Sequence, residues 1–447
     1  MEEKKSQNDQ FILDGITVVS PMYGDRKITN RMVESVLRQD LGKDNPLHIE
    51  LILVDDYIEE RGENGESPYD RYVSEEYRDY MEYDSEHIEI KLIKNEEHKY
   101  QGEGREIGFL AGKYDWFILL DCDDMLAPNC CDRYRHAIES YYNAVDQNGE
   151  RVNKMDLACV HGLLYSFGEH GYEHIIYGDN IWVQGRCYNR QFIIENDIHF
   201  PTGTNSRQGE DYPFIRKFDY VLRHANSEVI PTMKDWNNIK IPYGEGKDCQ
   251  CTAYWFPNYE SLSRKDPHYG QHLAGWTMAS SNSIFDFYQD FNKKHGIEDH
   301  EDEVMKHELL NMTIYSYYNF LDFLREVAAT DYDPKEEDWI ALRDNVKLLR
   351  TRLKTMFWDE IVDSDVYKML NQVICYSDIR FAESWLGTFF EYMNRGFFVK
   401  INKNWRDVLD LTYKEMREYC KKLQFDGAGH EINSPQVRAW VKRHPNG

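Results

Sequence analysis

Two continuous apolar runs in the first third of the chain each stop at paired or clustered aspartates, and that pattern constrains the fold more than any other feature. Ile49 to Val54 leads into Asp55-Asp56, and Trp116 to Leu120 leads into Asp121-Cys122-Asp123-Asp124. Runs of this length read as buried strands, and a third, Ile16-Thr17-Val18-Val19, is expected to stop at Ser20-Pro21 and Gly24. Ile88 to Ile93 alternates as a further strand. Ile28, Met32, Val33, Val36 and Leu37 recur at helical spacing, and Gly102 to Ala111 opens another helix. Strand and helix in turn give an α/β fold with a mainly parallel sheet. In open sheets of that kind ligands gather outside the carboxyl ends of the strands, where Pro21, Tyr23, Asp55, Asp56, Asp121 and Asp123 all fall.

A chain of 447 residues exceeds one ordinary core. Residues 1–14 form a polar arm and 15–270 the α/β domain. Residues 57–86, acidic and tyrosine-rich, read as an insertion or lid outside the central sheet, with a solvated face. From about 275 to 447 long amphipathic stretches, Glu303 to Glu326 and Trp339 to Trp358, predict a helical C-terminal domain for acceptor binding or homo-oligomer formation. The run Glu298 to Glu303 reads as a solvated linker or helix start. No internal repeat is evident.

Net charge is −26 with no long basic cluster to offset it, which disfavours nucleic acid and anionic lipid as partners. No apolar run is long enough to span a bilayer, and the polar start lacks the apolar core of a signal peptide. Nine cysteines fall at irregular spacings, which fits buried thiols in a cytoplasmic protein better than disulfides. Cys130-Cys131 and Cys249-x-Cys251 have the wrong spacing for a zinc knuckle.

The Asp121-Cys122-Asp123-Asp124 carboxylates sit on a rigid strand end, where hard oxygen ligands suit Mn²⁺ or Mg²⁺ and a nucleotide diphosphate completes the shell. Acidic triplets are also common on surfaces, so the strand-end position is what raises the motif above background. Asp55 and Asp56 are placed to accept from a ribose or a base N–H, or else to cap a helix. Arg105, on a Gly-rich turn at Gly102-Glu103-Gly104, carries a fork of donors suited to a diphosphate. Glu210-Asp211, after Gly209, falls at a helix start, where a carboxylate serves as general base or merely complements the macrodipole.

These blocks together resemble family 2 glycosyltransferases of the GT-A fold over roughly the first 265 residues. ITVVSPMY (16–23) looks like that family's opening strand, and LILVDD (51–56) like its nucleotide-contacting strand. GREIGFLAGKYDWFILLDCDD (104–124) is similar to its Arg-containing helix followed by the metal-binding Asp-x-Asp. WVQGRCYNRQFIIENDIHFPTGTNSRQGEDYPFI (182–215) resembles its acceptor-side segment. Tyr254-Trp255-Phe256 to Ser261-Leu262-Ser263-Arg264 resembles its closing element near the donor phosphates. The resemblance implies that Pro21, Tyr23, Asp55 and Asp56 hold base and ribose, with Arg105 and Arg264 near the diphosphate. It further implies Asp121 and Asp123 on the metal, Asp211 as catalytic base and Glu210 orienting it or the acceptor. Two departures stand out: Glu106 replaces the common Asn, and Tyr57-Ile58-Glu59-Glu60 replaces the usual Gly-Ser-x-Asp.

The expected function is a metal-dependent, inverting transfer of a hexose or N-acetylhexosamine from a nucleotide-sugar donor, a UDP-sugar in the expected form, to an acceptor hydroxyl on a glycan or other polymer. Alternatives are glycosylation of modified DNA bases, and a catalytically inactive sugar-nucleotide-binding protein. A nucleotidyltransferase would need a Gly-rich loop with lysine after the first strand, which Ser20 to Gly24 does not supply. Tyr315, Tyr317, Tyr318 and Phe320 are placed as core residues rather than carbohydrate platforms.

Overall fold

The computed structural model describes residues 10–167 (apart from 25, 44 and 154), 173–176, 183–202, 209–232, 251–256, 269–306, 308–309, 312, 323–324, 327, 332–362 and 409–421. The chain divides into two compact units, residues 1–260 and 261–447.

The first unit opens with β1 (Gly15–Met22), α1 (Arg26–Leu37) and β2 (His48–Asp55), then α2 (Glu75–Met81), β3 (Ile88–Lys94), α3 (Tyr100–Ala111) and β4 (Trp116–Leu119). β5 (Met125–Leu126), α4 (Cys130–Asn143), β6 (Asp156–His161), β7 (Leu164–Phe167), β8 (Glu173–Ile176) and β9 (Arg186–Asn189) follow. α5 (Arg190–Glu195), α6 (Asp211–His224), β10 (Ser227–Pro231) and β11 (Ala253–Trp255) complete it. Seven strands form one sheet in the order β10-β6-β9-β4-β1-β2-β3, and only β9 runs against the others. A second, four-stranded sheet has the order β5-β11-β7-β8. This is the expected mainly parallel mixed sheet flanked by helices.

β1 and β2 are buried almost throughout, which is why they read as unbroken apolar runs. β1 continues through Pro21 to Met22 rather than stopping at the proline. Val19 O accepts from Leu120 N at 2.9 Å on the β4 side, and Met22 O accepts from Asp56 N at 3.0 Å on the β2 side. By alternation the absent Pro21 N–H faces β4 beyond the last β1–β4 pair, Val19 with Leu119, so no ladder bond is lost.

α3 lies close on β1 and β2 because two of its glycines face them. A Cβ on Gly104 would stand 3.3 Å from Pro21 Cβ, and one on Gly108 only 2.2 Å from Val19 Cγ1 and 3.2 Å from Val54 Cγ2. The Gly102–Arg105 segment therefore lies within the first turns of the expected helix, which starts two residues earlier at Tyr100, and Arg105 is helical and not on a separate Gly-rich turn. Gly108→Ala must push the helix off the sheet. It is expected to lower unfolding free energy by about 1–3 kcal/mol, read from denaturant midpoints at unchanged slope.

Residues 57–86 contribute no strand to the sheet, and although Tyr80 is exposed, two of their tyrosines are not on a solvated face. Two 3₁₀ turns, Ile58–Glu60 and Asp70–Val73, precede α2, whose Ser74 caps it by accepting from Tyr77 N. Tyr69 and Tyr72 are completely buried in the core. Tyr69 Oη donates to Gly24 O at 3.2 Å, and Tyr72 Oη and Arg71 Nη2 reach Asn30 Oδ1 at 2.6 and 2.7 Å. The acidic residues hid this because charge dominates the composition, while the two rings that matter are spaced for a 3₁₀ turn and not for a strand or α-helix.

The second unit is helical in its described part, with α7 (Tyr269–His295), α8 (Glu336–Val362) and α9 (Tyr413–Cys420). α7 begins earlier than the expected 275, and α8 contains the amphipathic stretch from Trp339 to Trp358. Arg352 ties α8 to α7 through Asp286 at 2.5 Å and Asn282 O at 2.8 Å. Trp339, fully buried, donates to Leu411 O at 3.1 Å. The acidic run forms a 3₁₀ turn at Asp299–Glu301. Much of Glu303 to Glu326, with Tyr315, Tyr317, Tyr318 and Phe320, lies outside the described residues. No helix among the described residues is long and apolar enough to cross a membrane.

Candidate active site

Strand order reverses between β1 and β4: from β1 the chain steps outward to β2 and β3, then returns to the other side as β4. The carboxyl ends of β1 and β4 flank that reversal, where a doubly wound sheet leaves a crevice. Pro21, at the end of β1, and Asp121, just past β4, therefore share one sheet edge.

Asp121, Asp123 and Asp124 present ligand oxygens all within 4.8 Å of one another. Asp124 is 1% exposed; its Oδ1 accepts from Phe256 N at 3.0 Å, whereas Oδ2 has no hydrogen bond among the described residues. Burial, then the charges of Asp123 and Asp121, push its carboxyl well above the usual range. An orphaned buried carboxylate oxygen beside two further carboxylates is costly without a cation, and this donor set fits Mn²⁺ or Mg²⁺. Arg31 of α1 braces the turn, donating to Asp123 O at 2.7 Å with its guanidinium 3.7 Å from the Phe256 ring centroid.

Arg105 joins this cluster to the second pair of acids. It is 1% exposed on α3. Nη2 donates to Asp121 Oδ1 at 2.6 Å, and Nη1 to Asp211 Oδ1 at 2.5 Å and to Glu210 Oε1. Desolvation alone would depress the guanidinium, but Asp121, Asp211 and Glu210 outweigh it and hold it charged. Glu210 and Asp211 begin α6, as their position after Gly209 (φ +68°) predicts. Burial chiefly raises both carboxyls, that of Asp211 to about 7, against the opposing pull of Arg105. Val183 N approaches Asp211 Oδ2 at 3.4 Å. One buried cation thus carries three acids from β4 and α6, a connection that sequence spacing does not reveal.

Asp55 and Asp56 sit at the end of β2 with their oxygens engaged internally. Asp55 accepts from Tyr57 N at 2.9 Å and pairs with Arg61 at 3.2 Å. Asp56 caps α3, accepting from Lys99 N and Tyr100 N at 2.8 and 2.9 Å, with Asn95 Nδ2 at 2.9 Å and His98 Nδ1 at 3.2 Å. Tyr23 is half-exposed beside Tyr57 and His98, ring centroids 5.1 and 5.5 Å away. Arg264 lies outside the described residues. Asn95 and His98 were missed from sequence although they follow β3, and the strand-end rule applied to β1, β2 and β4 would have flagged them.

The departure at Glu106 also has a structural account. From α3 it accepts from Phe200 N at 3.0 Å and holds His199 Nδ1, raising the imidazole pKa. Phe200 in turn stacks on Phe214 of α6, centroids 4.1 Å apart at 8°. An acid at 106 therefore holds His199 and Phe200, the latter packed on α6.

A mainly parallel sheet, its order reversing at a carboxylate cluster, defines an α/β protein built to hold a polar ligand at that edge. Residues 17–207 match the family model Glycosyl transferase family 2. A curated relative, an uncharacterized glycosyltransferase of Haemophilus influenzae, is 26% identical over 128 residues, 29% of this chain and 36% of that protein. The match thus spans about a third of the relative. Among solved structures, S. aureus TarS 1–349 is 13% identical with TM-score 0.41, covering 82% of this chain and 94% of that one. A Pyrobaculum calidifontis mannosyltransferase in complex with GDP-Man and Mn²⁺ is 10% identical with TM-score 0.38, covering 80% and 92%.

Proposed function

We propose that the protein is a cytoplasmic, metal-dependent, inverting glycosyltransferase, taking a hexose or N-acetylhexosamine from a UDP-sugar to a hydroxyl on a glycan or other polymer. The observation that carries this reading is the convergence on Arg105 of Asp121, from the carboxylate cluster, and the Glu210-Asp211 pair. One edge then offers a cation site for a diphosphate and, a single side chain away, a carboxyl with raised proton affinity.

In the reaction Asp211 accepts the acceptor's hydroxyl proton as that oxygen bonds to the anomeric carbon. The bond from that carbon to the diphosphate oxygen breaks on the opposite face, which inverts configuration. Asp121, Asp123 and Asp124 would hold Mn²⁺ or Mg²⁺, which supplies Lewis-acid stabilisation of the departing diphosphate. Arg105 fixes Asp211 relative to that site, and Glu210 shares its guanidinium. Positive charge held in place before the reaction assists most where negative charge grows, on the leaving group.

The test is a thermal-shift series with UDP-sugars and GDP-sugars, with and without Mn²⁺. A UDP-sugar at a hundredfold its Kd is expected to add about 2.7 kcal/mol of stability with Mn²⁺ and much less without. Shifts with no nucleotide sugar in either condition would sink the reading. The alternative, a binding protein without turnover, predicts the same shift but no slow UDP release under Mn²⁺, since Asp211 would lack a base's function. Glycosylation of DNA is disfavoured by the net charge of −26.

A further inference from the structure

Both aspartates at the end of β2 are committed inside the protein, Asp55 by complete burial and Asp56 by its donors. Asp55 is fully buried, with its two oxygens on Tyr57 N and Arg61. Asp56 is 5% exposed and takes four donors, two on each oxygen: Asn95 Nδ2 and Lys99 N on Oδ1, His98 Nδ1 and Tyr100 N on Oδ2. A carboxylate offers about four lone-pair sites, so Asp56 has none left for a nucleoside. Its task is to start α3.

The network continues outward. His98 bridges Asp56 to Glu59, its Nε2 2.6 Å from Glu59 Oε1. Glu59 stands on the 3₁₀ turn Ile58–Glu60, with its side chain 53% exposed. It is held by His98 yet open to solvent, and the His98 ring that holds it lies 5.5 Å from that of Tyr23, which in turn lies 5.1 Å from that of Tyr57. Exposed rings give a nucleobase faces to stack on, and a pinned carboxylate at their rim offers remaining lone pairs to a pair of hydroxyls.

We propose that Glu59, held by His98, is the residue that accepts from the ribose hydroxyls of the donor nucleotide, in place of the fully buried Asp55 and the saturated Asp56. The inference rests on the donor-site reading above. It assigns a function to the turn where the usual Gly-Ser-x-Asp gives way to Tyr57-Ile58-Glu59-Glu60. His98 is a positioning residue here, because it reaches the nucleotide only through Glu59.

The experiment measures Kd for UDP and for 2′-deoxy-UDP by calorimetry with Mn²⁺, on the full chain. Wild type is expected to prefer UDP by about tenfold or more, the range for hydrogen bonds to a charged group. Glu59→Gln, an exposed substitution that should leave the unfolding temperature unchanged, is expected to weaken UDP binding by a similar factor and leave 2′-deoxy-UDP nearly unaffected. His98→Asn should erode the same preference in part, whereas a merely structural histidine would weaken both nucleotides equally. Full preference retained in Glu59→Gln, or no preference in wild type, overturns the proposal while leaving the donor-site reading intact. Failure of wild type to bind either nucleotide overturns both.

Discussion

Asp211→Asn is expected to lower kcat about a hundredfold to ten-thousandfold while leaving UDP affinity in the presence of Mn²⁺ within a few-fold of wild type. The asparagine keeps the shape at the start of α6 and can still meet Val183 N and lie near Arg105, but it cannot take a proton. Loss confined to kcat is what distinguishes a group acting in the transition state from one that binds donor. The wild-type pH profile provides an internal check. Burial raises Asp211 to about 7, and a base works only when ionised, so kcat/KM should fall about tenfold per pH unit below that point and level off above it. In Asp211→Asn the residual rate should lose that limb. A mutant with near-normal turnover, or one whose acid limb persists, would remove Asp211 from the role and leave Glu210 as the candidate.

The elements that carry this site were legible for definite reasons. β1, β2 and β4 are covered on both faces, so their sequences are unbroken runs that end where the chain meets the crevice. That made Asp55, Asp56, Asp121 and Asp123 visible as strand-end acids. Asp211 was found from Gly209 and the apolar face of α6. What was not legible depends on partners distant in sequence. Nothing near Arg105 indicates that Glu210 and Asp211, more than a hundred residues on, complete its salt bridges. Asp56 looked like a ligand because its strand-end position is shared by helix caps and nucleotide contacts alike. Only the N–H groups of Lys99 and Tyr100, 43 and 44 positions later, identify it as a cap. The glycines of α3 were read as a turn that presents Arg105, whereas Gly104 and Gly108 serve a close helix–sheet approach, which the distances to Pro21 and Val19 reveal.

Arg105→Met should be among the most destabilising single substitutions in the first unit, with a loss of about 3–5 kcal/mol at neutral pH. The thioether fills part of the space, but Glu210 is left buried, and Asp121 and Asp211 remain partly buried, with no counter-charge. Removing one partner of a buried ionic group exposes the full desolvation cost of the others. The sign of the pH dependence follows from linkage. Glu210 and Asp211 already hold protons more tightly when folded than unfolded, and without Arg105, whose charge opposes that shift, their folded values rise further. The mutant therefore binds more protons in its folded state than wild type across the neutral range. Its deficit should shrink as pH falls from 8 towards 5, where the carboxyls can be neutral, and should widen as pH rises. Urea unfolding of both proteins at several pH values measures this directly. A deficit that stays constant with pH would mean that Arg105 contributes through packing on Phe200 and not through its three acids. The same series with Arg105→Lys separates charge from fork geometry: an ammonium on a flexible stem can meet one or two of these oxygens but not hold all three at once.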